Sequence, residues 1–421
     1  MRNRDYFRDK KVTIVGLARS GISCARLLAK LGACVSVSDN QDTPALRVKA
    51  KELRAKNIRV ELGRHSPGFI KGGDLVVVSP GVAPDALPLL WARKSGIPVI
   101  SEIEVGWLLC PAKIIAVTGS NGKTTVTTLI GLILKEAGKK AVVCGNIGNP
   151  FCGEVEKLRP QDYVSLEVSS FQLENIRGFK PQVAVILNFS RNHLDRYRNM
   201  KEYLAAKACI FMKQGKGDAL VINRDDAALR RTARRAKSRV VYFSAAKEAN
   251  ANEAAVMAVG SLLGIAQNKI RRVFQKFRGI EHRMEKAARI RGVEFINDSK
   301  STTVDATAWA LNNIASRAIL IAGGREKGND YAVLRDLVRR KVKAAVLIGE
   351  ASARISRAFR GIIPLQRAAS LKEAIRLAFL RASPGECVLF SPMCKSFDMF
   401  ANYEERGRLF KAAVRRLAKN N

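Results

Sequence analysis

The stretch that most narrows the possible folds is A-V-T-G-S-N-G-K-T-T at residues 116–125. It continues an apolar, β-branched run (114–117) and opens a segment with apolar residues at helical spacing, from Lys123 to about Ala137. A strand, a glycine turn, and then Lys and Thr at the head of a helix make a cradle for phosphate. Backbone N–H groups and the positive helix end face the anion, the lysine reaches the terminal phosphates, and the threonine hydroxyl is placed to ligate Mg²⁺. The longer general pattern has a glycine five positions before Gly122, where this chain has Val117, so the turn is the shorter T-G-x-N-G-K-T form.

Buried strands of parallel-sheet type surround this turn, predicted at 141–144, 163–168, 183–188, 219–222 and 240–243. Before it, K-V-T-I-V-G-L at 11–17 ends in glycine, apolar residues follow at helical spacing over 22–31, and a second strand at 33–37 leads to Asp39. A β-turn-α-β unit with an acidic residue about 20 positions after the glycine turn is the pattern of a dinucleotide-binding (Rossmann) unit. In G-L-A-R-S-G, however, Ala18 stands where a second glycine would admit a pyrophosphate. Another strand, 75–78, runs into Ser79-Pro80-Gly81, and a third series is predicted at 293–296, 318–321, 344–348 and 387–390. The expected architecture is three tandem α/β domains: a Rossmann-like N-terminal domain (1–105), a P-loop ATPase-type central domain (106–279) and a Rossmann-like C-terminal domain (280–421).

Charge points elsewhere at first. The 421 residues carry 74 Lys+Arg against 37 Asp+Glu, a net +37, which raises nucleic acid or an anionic membrane as partner. All three stretches are net positive, though, and no basic tail is separable. The densest run, Arg230, Arg231, Arg234, Arg235, Lys237 and Arg239, has helical spacing and no aromatic residue between the charges, so it reads as a solvated helix face. Hydrophobic residues make up 47%, enough for real cores and against charge-driven disorder. Eight cysteines without a C-x-x-C pair read as reduced, mostly buried thiols rather than a disulfide frame or zinc site. A charged N-terminus with no apolar segment behind it, and no run of 18 apolar residues, predict a cytoplasmic protein without membrane insertion.

Further short motifs accompany the glycine turn in order: G-N-I-G at 145–148, L-E-V-S-S-F-Q-L-E at 166–174, N-F-S-R-N-H-L-D-R-Y at 188–197, H-R-M-E at 282–285, N-D-S-K-S-T at 297–302 and S-P-M-C-K-S-F-D at 391–398. With T-G-S-N-G-K-T they resemble, over almost the whole chain, the Mur ligases of peptidoglycan synthesis. S-S-F-Q-L-E resembles the branch that adds D-glutamate to UDP-N-acetylmuramoyl-L-alanine. The resemblance implies an ATP-dependent, ADP-forming acid–amino-acid ligase, working through an acyl phosphate with two Mg²⁺ ions, and expected to be a monomer that binds no nucleic acid.

Residue chemistry and resemblance together nominate a site. Gly119, Ser120, Asn121, Gly122, Lys123, Thr124 and Thr125 form the phosphate cradle. Glu167, at the end of a buried strand parallel to the one before the cradle, is placed to complete a Mg²⁺ shell with Thr124. His193 follows a strand at the same sheet edge. Lys207 lies in the apolar Y-L-A-A-K-A-C-I, either as a functional group or as a lysine snorkelling to solvent. The resemblance implies that Lys207 is carbamylated and holds the second metal with His193. It also assigns Arg283, Asp298 and Lys300 to the nucleotide or the transferring phosphoryl group, and Thr302, Lys327, Ser396 and Tyr403 to D-glutamate. The UDP substrate is assigned Arg19, Ser20, Asp39, Asn40, Ser79, Pro80, Gly81, Asn146 and Ser169. Catalytic roles fall to Lys123, Glu167, His193, Lys207 and Lys300. His65, in a polar R-H-S-P turn, is expected at the surface. The chain departs from the family pattern before Asn252, where a His-Asn pair and some tens of residues are missing, and at Thr303 and Cys209, where asparagine and arginine are usual.

Overall fold

Two sheets in the first 277 residues and one in the remainder carry every strand among the described residues. The computed structural model describes residues 1–419 apart from 192, 194, 195, 249 and 327, and apart from the side chain of residue 247. By packing, the chain forms two compact units, Met1–Phe277 and Arg278–Asn421.

The first sheet contains β1 (Lys11–Val15), β2 (Cys34–Asp39), β3 (Arg59–Leu62), β4 (Leu75–Val78) and β5 (Val99–Ser101). Its order is β3-β2-β1-β4-β5, with every pairing parallel. Strand order reverses at β1 and β4, so the turns after those strands, at Gly16 and Ser79, open onto the crevice where such sheets take ligands. The helix Arg19–Lys30 buries Cys24, Ala25, Leu27 and Leu28 against this sheet. It packs tightly because residue 21 is glycine: a Cβ there would lie 2.0 Å from the Gly16 carbonyl oxygen.

In the second sheet β6 (Lys113–Thr118) is central, flanked by β8 (Tyr163–Glu167) and β7 (Ala141–Gly145) on one side. On the other lie β9 (Val183–Ile186), β10 (Ala219–Asn223) and β11 (Arg239–Phe243), again all parallel. Alternate residues enter different cores. Ile115 and Val117 pack under the helices Lys123–Glu136 and Ala251–Leu262, while Ile114 and Ala116 face the other way, into an apolar cluster that continues through Phe151 to Leu28 and Ile14 of the first sheet. That continuity places the first two sheets in one compact unit.

The third sheet has the order β12-β13-β17-β14-β15-β16. It comprises β12 (Glu285–Ile290), β13 (Val293–Asn297), β14 (Ala318–Gly323), β15 (Val342–Ile348), β16 (Leu365–Arg367) and β17 (Cys387–Phe390). Only the β12–β13 pairing is antiparallel. Apolar clusters cover both faces.

Several expectations change. β3, β5, β12 and β16 were not expected; each is a sheet edge, and β3, β12 and β16 lack the apolar run that marks a central strand, while β5 is largely buried but only three residues long. The basic run is solvated but does not lie on one helix. That helix ends at Ala233, Arg234 and Arg235 lie in the following turn, and Arg239 begins β11. All eight cysteines are free and six are buried, whereas Cys34 is exposed and Cys209 half-buried. His65 is half-buried rather than at the surface, with Nδ1 2.7 Å from Ser38 Oγ, and burial holds its imidazole below the usual value. No described helix is long and apolar enough to cross a membrane.

Candidate active site

β6 delivers the chain into the turn 119–122 and the helix Lys123–Glu136. Gly119 and Gly122 have φ of +155° and +79°, conformations that L side chains rarely adopt, and a Cβ on Gly122 would meet Asn252 Oδ1 at 2.3 Å. Asn252, the residue retained from the family pattern, thus lies against the cradle. Asn188 braces the turn from the end of β9: its Oδ1 accepts from Asn121 N–H at 2.8 Å and its Nδ2 donates to the Asn121 carbonyl at 3.1 Å. Lys123 Nζ donates to the carbonyls of Gly119 and Ser120, both at 2.9 Å, so its ammonium sits over the turn. Thr124 is buried at the helix head, and Thr125 follows it in the first turn of the same helix.

Glu167 pairs in register with Val117 at the end of β8 and is 1% exposed. One carboxylate oxygen accepts from Asn146 Nδ2 at 2.8 Å. The other, Oε2, is buried without a hydrogen-bond partner, as is Thr118 Oγ1 next to the glycine turn. Buried oxygens of this kind are rare unless something else is meant to meet them.

Lys207 is also 1% exposed, which settles the choice left open above against snorkelling. Its Nζ donates to the Gly119 carbonyl at 2.9 Å and lies 4.5 Å from the centre of the Tyr203 ring. Burial, with the Lys123 charge adding to it, drives the Lys207 amine well below the ordinary lysine value. Tyr203 is itself fully buried and its hydroxyl is 3.4 Å from Ser120 Oγ. His193 is held in a left-handed conformation (φ +57°), with its ring 4.7 Å from Phe171 and 5.6 Å from Tyr203, centre to centre. The structure therefore gathers the cradle, Glu167, Asn146, His193 and Lys207 around the C-terminal ends of β6, β8 and β9.

On the first sheet, Asp39 is turned onto its own fold: Oδ2 accepts from Leu17 N–H at 2.7 Å and Oδ1 from Gln41 N–H at 2.9 Å. Ser79 Oγ donates to the Gly16 carbonyl at 3.0 Å, and an Arg19 N–H to the Gly148 carbonyl at 2.6 Å. Ser20, Asn40, Pro80 and Gly81 lie partly or fully exposed along these turns. Ser169 caps a short helix in a capping box with Gln172. Sequence reasoning missed the neighbouring brace. Arg196 forms a two-pronged pair with Glu174, at 3.0 and 2.6 Å, and also donates to the carbonyls of Pro80 and Val82; Tyr197 donates to Glu174 at 2.6 Å. Glu174 is the last residue of S-S-F-Q-L-E, so the motif was visible but its ion pair was not.

In the C-terminal unit, Asp298 is 2% exposed after β13 and accepts from the hydroxyls of Ser301 and Ser391 and from Met284 N–H. Burial pushes its carboxyl up to about 6, against those hydrogen bonds and the nearby Arg283 charge. Lys300 Nζ lies 5.8 Å from the centre of the Tyr403 ring, Thr302 follows on the same loop, and Ser396 is buried on the loop after β17. Lys327 lies outside the described residues.

Comparisons with known proteins agree across the chain. Family models match residues 10–101 (Mur ligase MurD-like, N-terminal domain), 117–275 (Mur ligase middle domain) and 282–394 (Mur ligase, glutamate ligase domain). The UDP-N-acetylmuramoylalanine–D-glutamate ligase of Koribacter versatilis is 40% identical, covering 98% of each chain. That of Geotalea uraniireducens is 42% identical, covering 97% of this chain and 98% of the relative. Among solved structures, the UDP-N-acetylmuramate-alanine ligase MurC of Thermotoga maritima (19% identity, 98% of this chain and 100% of that one, TM-score 0.58) shares the fold. So does the MurF ligase of the same organism in complex with ADP (14% identity, 99% and 98%, TM-score 0.59). The phosphate cradle, the sheet orders and these matches lead to one statement: the chain belongs to the Mur ligase family.

Proposed function

We propose that this ligase joins D-glutamate to UDP-N-acetylmuramoyl-L-alanine in peptidoglycan precursor synthesis, cleaving ATP to ADP and phosphate, and acts as a cytoplasmic monomer without a nucleic-acid partner. The observation that carries the reading is the phosphate cradle with Glu167 beside it, one oxygen held by Asn146 and the other, buried, without a partner. The relatives at about 40% identity, named for this pair of substrates, support the choice of amino acid.

The residues fit Mg²⁺. No cluster of three or more His, Cys, Asp or Glu among the described residues forms a closed metal cage. Mg²⁺ is ordinarily held by one or two protein oxygens together with phosphates and water, and the partnerless oxygen of Glu167, whose strand runs in register with the one leading into the cradle, suits that habit. We assign Thr124 and Glu167 to one ion. For the second we assign His193 and Lys207, the latter as a carbamate: an uncharged amine is the form that adds CO₂, releasing a proton, and the burial of Lys207 favours that form. When bound, the ions offset charge on the transferring phosphoryl group.

In the proposed reaction the alanyl carboxylate attacks the γ-phosphate of ATP, giving an acyl phosphate and ADP. The D-glutamate amine then attacks the acyl carbon, and phosphate leaves. Lys123 turns its ammonium from the turn carbonyls to the terminal phosphates and stabilises charge as it moves to the leaving group. Backbone N–H groups of 119–125 hold the phosphates. We assign Arg283, Asp298 and Lys300 to nucleotide and phosphoryl, Thr302, Lys327, Ser396 and Tyr403 to D-glutamate, and Arg19, Ser20, Asp39, Asn40, Ser79, Pro80, Gly81, Asn146 and Ser169 to the UDP substrate. Phosphate release with UDP-N-acetylmuramoyl-L-alanine, ATP and Mg²⁺, scanned over amino acids, tests the reading. D-glutamate is expected to stimulate release strongly; equal stimulation by L-glutamate or meso-diaminopimelate would overturn the specificity.

A further inference from the structure

Arg406 lies in the helix Tyr403–Lys419 with no solvent exposure, and no step above uses it. Among the described residues no carboxylate forms an ion pair with it, although the Asp398 charge acts on it from beyond pairing distance. Its guanidinium instead serves neighbouring loops: Nε donates to Ser299 Oγ at 3.1 Å, Nη2 to the Ser299 carbonyl at 2.8 Å, and Nη1 to the Cys394 carbonyl at 3.2 Å. Ser299 Oγ in turn donates to the Tyr403 carbonyl at 2.9 Å. The third loop passes the same group as bare backbone. A Cβ on Gly324 would stand 3.3 Å from Nη1 and 2.4 Å from the Lys395 carbonyl, and Arg325 N–H donates to that carbonyl at 2.9 Å.

These loops follow β13, β17 and β14, which are neighbours in the sheet. Thr302, Ser396 and Lys327 belong to the segments that follow those three strands, and Tyr403 opens the helix that carries Arg406. Thus Thr302, Ser396 and Tyr403, three of the residues assigned to D-glutamate, come from segments joined at one guanidinium, and the loop after β14 is joined to them through the Arg325–Lys395 hydrogen bond. Burying a cation with no carboxylate paired to it is costly, and a planar fork of donors can bridge separate carbonyls as an ammonium cannot.

We propose that Arg406 is a positioning residue for the amino-acid substrate, tying the loops after β13, β14 and β17 to the first turn of the helix Tyr403–Lys419 so that the D-glutamate contacts are set together. The inference rests on the functional reading above. The test uses full-length Arg406→Lys and Arg406→Met, with Ser299→Ala as a milder removal of one acceptor. KM is measured separately for D-glutamate, ATP and the UDP substrate, and amide hydrogen exchange is followed without ligands. The expected result is a KM for D-glutamate raised about tenfold or more in the Arg406 variants and less in Ser299→Ala, with the other two KM values within about twofold. Exchange is expected to rise in 298–302, 323–328 and 391–396 while the β14–β15 core stays protected. An unchanged KM for D-glutamate in a folded variant, a common rise of all three KM values, or exchange rising uniformly through the unit would overturn the proposal. Should the Arg406 variants fail to fold, Ser299→Ala decides by the same two readouts. Should the wild-type protein show no stimulation by D-glutamate, the functional reading fails, and the exchange pattern alone decides whether the tie exists.

Discussion

Replacing Glu102 with glutamine is expected to stabilise the protein at neutral pH and to leave its stability almost unchanged in mild acid. Glu102 opens the helix Glu102–Leu109 and is fully enclosed; Oε1 accepts from Cys152 N–H at 2.6 Å, while Oε2 is buried without a partner. Burial pushes its carboxyl up to about 7 from an ordinary 4.5, the Cys152 and Phe151 hydrogen bonds opposing the rise. In the unfolded chain the group loses its proton near 4.5, so the folded state is relatively favoured below that pH. The advantage is lost as pH rises from 4.5 through about 7. At 1.36 kcal/mol per pKa unit, the wild type gives up about 3 kcal/mol over that window. Glutamine, neutral throughout and nearly the same shape, gives up none. Denaturant titrations of both proteins in steps from pH 4.5 to 7.5, following the unit Met1–Phe277, are expected to show their stability difference growing by about 3 kcal/mol in favour of the variant. A difference that stays constant with pH would refute the argument, because it would mean that Glu102 titrates alike in the folded and unfolded chains.

Lys123→Ala is expected to lower kcat for phosphate release by about 10³ or more with little change in thermal stability, and near-normal turnover would remove Lys123 from phosphoryl transfer. Glu174→Gln leaves Arg196, only 13% exposed, with a neutral partner; a loss of about 3 kcal/mol in denaturant unfolding is expected, with activity falling as the turn at Pro80 and Val82 loosens. Gly21→Ala forces a methyl to within 2.0 Å of the Gly16 carbonyl, and a destabilisation of roughly 2 kcal/mol, read as a lowered Tm, is expected.

The central strands were legible in the sequence because both their faces are buried: β4 and β17 have the expected bounds, and β6 differs by one residue at each end. Of the edge strands, β7 and β11 were legible, but β3, β5, β12 and β16 were not. R-V-E-L in β3 and E-K-A-A-R-I in β12 place charged residues on a half-solvated ladder, where the apolar signal thins out. The cradle was legible because a glycine turn before Lys-Thr has few other uses. Glu174, Asn188 and Arg406 were not, since each acts through a partner between 22 and 107 positions away, a separation no local pattern records. Lys207 shows the limit most plainly: its apolar neighbours suited either a buried or a snorkelling lysine, and only the path of its side chain to the Gly119 carbonyl separates the two.

The insertion of β17 between β13 and β14 also has a consequence for synthesis. On a ribosome, β13 and β14 emerge long before Cys387–Phe390, and until then each has one unpaired edge and no strand to join them. The nascent C-terminal unit therefore exposes two apolar ladders through much of its translation, the kind of surface to which chaperones and other nascent chains add. A chain stopped short of residue 387 would keep both edges open permanently, and it would be expected to aggregate rather than to persist as an inactive but soluble fragment.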